Sequence, residues 1–243
     1  MAHGLPDDSN IKSPINTYPV LDLAELAVRM GSAANFDRSG QVVSVHDFTA
    51  GFAPWYHTGV GAIDTVYLTN DRAESGGVSV VCWTDDDILA GAGVLRKIPY
   101  LPDEALAFSA MLALDDLSGS GRVNIRVQLA DLYYTFAVVY SAGDDTVYII
   151  TAEVGNLVIG PLSLLAENEH LFNMFKLSVN VSTLAYRSLT INDVIYPLAG
   201  YTANPTAFGG VPHIMLWSSI YGTVAGEQTV YMDNLVISRA NAQ

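Results

Sequence analysis

From residue 40 onward the chain alternates apolar and polar residues in short runs. The runs include "AIDTVYLT", "GVSVVCWT", "RVNIRVQL", "TVYIITAE", "FKLSVNV" and "QTVYMDNLVIS". A period of two puts every second side chain on one face of a strand, so each run can bury one side and wet the other. Breaks at "NDRAESGG", "DDLSGSG", "SAGDDT" and "NPTAFGG" are rich in Gly, Asp, Asn and Ser, the residues that tolerate tight turns. Asn192-Asp193 between two short runs predicts a tight hairpin. Roughly a dozen strands at this spacing predict two packed antiparallel sheets. Half of the 243 residues are hydrophobic and 15% are charged, enough for one large core.

Two zones are expected, an N-terminal arm with a docking helix over residues 1–40 and a β-sandwich over 41–243. Residues 21–31, "LDLAELAVRMG", carry apolar residues at helical spacing, with Asp22 and Glu25 in the first turn and Gly31 as a stop. A helix of about eleven residues is marginal alone and must dock, on its own sandwich or on a neighbouring subunit.

Charge and cysteine usage narrow the partners. Eleven basic against 25 acidic residues give a formal charge of −14, which repels phosphate backbones and argues against nucleic acid. The same acidity keeps a hydrophobic chain soluble. Cys82 is the single cysteine and lies in an apolar strand, so it reads as a buried small hydrophobe. The first residues lack the basic and apolar regions of a secretory signal, which implies synthesis in a cytoplasm. No apolar stretch reaches the ~18 residues of a membrane span.

Three pieces taken in order resemble a concanavalin A-like, or laminin G-like, jelly roll of the kind found in lectins and carbohydrate-binding modules. They are "VVSVHDFTAGFAPW", "AESGGVSVVCWT" and "VYMDNLVIS". The resemblance covers residues 42–238. It implies that the first and last strands lie side by side and that Asp47 and Asp233 share a structural Ca²⁺, a hard cation suited to carboxylate oxygens. The leader "LDLAELAVRMGSAANFDRSGQVV" resembles that of jelly-roll proteins encoded by phages and bacteria. That likeness implies a virion or assembly component, with residues 1–40 contacting a homo-oligomer partner or another virion protein.

Sugar binding by stacking needs exposed rings. Trp55, Tyr134, Trp217 and Tyr221 are the candidate glycan contacts, each weighed against an ordinary place in the core. Tyr133 and Tyr134 are adjacent, so one of the two faces outward. His46 and His57 lack zinc-ligand spacing and read as strand-edge residues. Laminarinase-type glycosidases need a Glu-x-Asp-x-x-Glu strand, which does not occur. The nearest imitation, Glu167 and Glu169, sits in a polar turn. The acidic turns at Asp85–Asp87 and Asp144–Asp145 do not spell a calcium loop. No nucleophile elbow, phosphate loop or Cys/His pair appears.

The sequence therefore predicts a non-catalytic structural or interaction subunit, on a phage virion surface as capsid decoration or otherwise, with its jelly roll facing outward and contacting glycans. A lectin-like carbohydrate-binding module is the alternative, and a glycoside hydrolase the remote one.

Overall fold

The computed structural model describes residues 40–60, 65–74, 77–84, 91–102, 105–114, 120–141, 146–161, 172–192, 194–221 and 228–240. The expected arm and helix, the acidic turns at 85–87 and 144–145, and the pair Glu167 and Glu169 lie outside these residues.

All described regular structure is antiparallel strand, in two eight-stranded sheets. Sheet I contains β1 (Gly40–His46), β3 (Thr65–Thr69), β4 (Ser79–Thr84), β6 (Ala105–Leu114), β11 (Asn173–Asn180), β12 (Ala185–Ile191), β13 (Val194–Pro197) and β16 (Gln228–Ala240). Sheet II contains β2 (Tyr56–Val60), β5 (Gly91–Pro99), β7 (Ser120–Gln128), β8 (Leu132–Ser141), β9 (Thr146–Thr151), β10 (Gly155–Pro161), β14 (Asn204–Ala207) and β15 (His213–Tyr221). The order across sheet I is β13-β12-β11-β6-β16-β4-β3, and across sheet II β10-β9-β8-β7-β15-β5-β2. These are the two packed antiparallel sheets that the alternation predicts, arranged as the jelly-roll sandwich that the resemblance implies.

The chain's described ends meet as expected. β1 pairs with β16 from Gly40 opposite Ala240 to His46 opposite Leu235. At 13 residues β16 is long enough to take β1 and β4 end to end along one edge while β6 runs along the other. A bulge between Asp233 and Val236 shifts its phase. Val230 and Met232 point into the core before it, Leu235 and Ile237 after it. Asn234, at φ 49°, takes the left-handed turn that the extra residue requires.

The core lies between the sheets. Val123, Ile125 and Val127 of β7 and Ile214, Leu216 and Ile220 of β15 meet Leu106, Phe108 and Leu112 of β6. Burying each large aliphatic side chain contributes about 1.5–3 kcal/mol relative to exposure. Tyr186 on β12 reaches across this core to sheet II. Its hydroxyl donates to the Ile150 carbonyl at 2.6 Å and accepts from the Ala137 amide at 2.9 Å. Cys82 is fully buried, 3.9 Å from the Met232 sulfur, and burial pushes its thiol pKa well up. Ile191 pairs with Val194 around Asn192, which has φ 49°, so the predicted hairpin turn is present.

Candidate functional site

The stretch "HDFTAGFAPWYHTG" turns out to be a corner that closes the sandwich. The His46 ring nitrogen Nε2 lies 2.9 Å from the Gly51 carbonyl, and the ring meets Phe48 edge-on at 4.7 Å. Burial holds the His46 pKa below the ordinary imidazole value, against the raising effect of that carbonyl. Trp55, one of the expected glycan contacts, is only 3% exposed and stacks on Phe108 at 5.7 Å. Its ring belongs to the core, where it excludes water from the end of the sandwich. His57 is exposed near Phe52 and belongs to no metal cluster among the described residues.

The two carboxylates expected to share calcium are engaged separately. Asp233 is fully buried on the outward side of β16. Its Oδ2 accepts the Glu74 amide at 2.9 Å and its Oδ1 the Asn234 amide at 2.7 Å. Asp47 Oδ1 accepts the Thr49 amide at 3.2 Å and the Thr49 hydroxyl at 2.8 Å, a local turn. No group of three His, Cys, Asp or Glu side chains suited to a metal occurs among the described residues. Both carboxylates thus accept N–H or O–H donors of the chain on the oxygens named.

The polar face with ligand chemistry is the outward side of sheet II. In "SGRVNIRVQ" (β7) the odd-numbered Val123, Ile125 and Val127 face the core, so Arg122, Asn124, Arg126 and Gln128 face out. β15 pairs with β7 on one side and β5 on the other through nine unbroken steps. Trp217 therefore sits beside Asn124 and Leu95, and Leu95 beside Tyr56 of β2. One step along, Arg126 lies beside Met215, and Met215 beside Lys97.

Arg126 is held by rings. Its guanidinium carbon lies 4.3 Å from the Tyr133 centroid and 5.9 Å from that of Trp217. Such cation–π contacts contribute on the order of 0.5–2 kcal/mol, most where water is excluded. Its Nε is buried and makes no hydrogen bond to a described residue. Gln128 fastens the rim, donating from Nε2 to the Phe208 carbonyl at 2.7 Å and the Leu129 carbonyl at 2.5 Å. Phe208 in turn meets Tyr133 at 5.9 Å.

The adjacent tyrosines divide as alternation requires, with the roles reversed from the expected assignment. Tyr134 packs against the core cluster, whereas Tyr133 faces out beneath Arg126. Trp217 is on the outward face. Tyr221 is the last residue of β15, and its side chain lies outside the described residues. The residues not singled out in the sequence are Arg122, Asn124, Arg126 and Lys97. For the three on β7 the signal was present, since "RVNIRVQ" gathers every polar side chain on one face of a strand.

No family model matches the sequence, and no curated protein matches it significantly. Solved structures do share the fold. An endo-β-1,4-glucuronan lyase from the fungus Trichoderma reesei superposes with a TM-score of 0.56 at 9% identity, over 81% of this chain and 94% of that one. A carbohydrate esterase from the Shiga toxin-encoding bacteriophage phi24B gives 0.52 at 10%, over 83% and 100%. Lectin I-B4 from Griffonia simplicifolia, in metal-free form, gives 0.50 at 9%, over 82% and 100%. The shared architecture is the concanavalin A-like sandwich. At these identities the likeness concerns fold alone.

Proposed function

We propose that this protein is a non-catalytic interaction subunit that contacts carbohydrate through the outward face of sheet II. One observation carries the reading: Trp217, Tyr133 and Arg126, each partly exposed, are brought side by side on neighbouring strands of that sheet. A ring beside guanidinium donors is equipment that a sugar needs, an apolar surface for its C–H face and donors for its hydroxyls. Rigid strands hold these groups in place before binding. The solved neighbours include proteins whose names describe action on, or binding of, carbohydrate. A non-hydrolytic role is supported by the described strands of sheet II, none of which contains Asp or Glu to serve as one of the two carboxylates of glycoside hydrolysis.

A glycan array with the full chain tests the proposal. Binding should be detected and should fall roughly tenfold or more in Trp217→Ala, while Trp55→Phe, a core change, leaves it intact. A blank array across plant, bacterial and animal sugars would overturn the reading.

The virion setting is a second proposal. It is favoured by the resemblance of the leader and by the phage origin of one neighbour. Deleting residues 1–40 should abolish joining to the particle or oligomer while the sandwich stays folded. Normal assembly of the truncated chain would overturn that part.

A further inference from the structure

Among the described strand residues of sheet II, the outward charges run against the charge of the whole chain. The protein carries −14 overall. Yet the strands of sheet II contain no acidic residue, and the three cations they point outward, Lys97, Arg122 and Arg126, share one face. Arg96, the remaining charged strand residue of the sheet, points the other way and donates to Ser44 of sheet I at 2.7 Å.

Resting on the carbohydrate reading above, we infer that the ligand of this face is an acidic glycan, its sugar carboxylates taken by Arg126 and Lys97 and its rings by Trp217. Arg126 is the centre of the arrangement. It stacks on Tyr133 and Trp217, and no described carboxylate pairs with it. A guanidinium held by ring faces keeps its in-plane N–H groups for a planar anion, which it binds as a two-pronged fork. Lys97 lies two strands across from Arg126, about 10 Å. Two cations at this separation suit the successive charges of a polymer better than a single acidic sugar. The acidic remainder of the surface repels polyanions that cannot use this face, which sharpens selection.

Native affinity electrophoresis through gels holding one polysaccharide each tests the inference. The probes are polygalacturonate and alginate as carboxylated polymers, dextran sulfate as a sulfated one, and xylan and dextran as neutral ones. Polygalacturonate or alginate should retard the protein more than any neutral polymer. Retardation should weaken as NaCl rises from about 50 to about 500 mM. Arg126→Gln should weaken it roughly tenfold or more, with Arg126→Lys recovering only part, because an ammonium lacks the fork. Lys97→Gln, a change at an exposed side chain that leaves the fold intact, should weaken it several-fold. Retardation by xylan or dextran equal to that by the uronates would overturn the acidic-glycan inference and leave the carbohydrate reading standing. Equal retardation by dextran sulfate would overturn the carboxylate assignment in favour of general polyanion binding. No retardation by any polymer would overturn both.

Discussion

The carboxylate of Asp233 accepts a hydrogen bond from the Glu74 amide at 2.9 Å, joining positions 159 residues apart. With the Asn234 amide on its other oxygen, Asp233 holds the bulge of β16 and the segment preceding β4 together. Arg72 in that segment lies over the Tyr231 ring at 4.7 Å, on the same outward side.

Asp233→Ala should therefore destabilise the fold by about 2–4 kcal/mol, because it strands two amides beside a buried position. Asp233→Asn should recover only part, since its NH₂ would face an N–H donor. Urea denaturation measures both. Melting with and without EDTA separates this role from a cation's. If calcium joins Asp47 and Asp233, EDTA should lower the melting temperature and Asp233→Ala should abolish that shift; an unmoved melting temperature would overturn the calcium expectation.

Tyr186→Phe removes a hydroxyl that bridges the sheets, leaving the Ala137 amide and the Ile150 carbonyl without it. The expected cost is about 1–3 kcal/mol in equilibrium unfolding, with the slope against denaturant unchanged.

His46 makes stability depend on pH. Burial lowers its pKa in the folded state. As pH falls below about 6.5 the unfolded chain takes up the proton first, so the folded state loses stability through that window. Urea midpoints at about pH 7.5 and 5.5 should differ more in the wild type than in His46→Gln. Equal differences would show that the carboxylates alone set the acid response.

Gly93 on β5 faces Ser219 on the outward side of sheet II. A β-carbon there would collide with the Ser218 carbonyl oxygen and come within 2.6 Å of the Ser219 β-carbon. Both obstacles belong to the neighbouring strand and its first side-chain atom, so β5 must move. Gly93→Ala should cost about 1–3 kcal/mol. It should also weaken glycan retardation, because β5 carries Lys97 and Leu95 beside Trp217.

What the sequence by itself determined was local. Alternation settled which segments are strands and which side of each is apolar, as in Val123, Ile125 and Val127 against Arg122, Asn124 and Arg126. Asn192 marked its hairpin for the same reason, since the turn needs a residue that tolerates a left-handed backbone. The tertiary structure decided everything that depends on which strands become neighbours. Trp55 and Trp217 are equally aromatic in the sequence, yet one stacks on Phe108 in the core and the other lies under Arg126. The choice of Tyr133 over Tyr134 and the union of Lys97 with Arg126 likewise rest on strand pairing and register. Periodicity is a property of one strand. A binding face is a property of several, and their order is set by long-range packing that no short window of sequence contains.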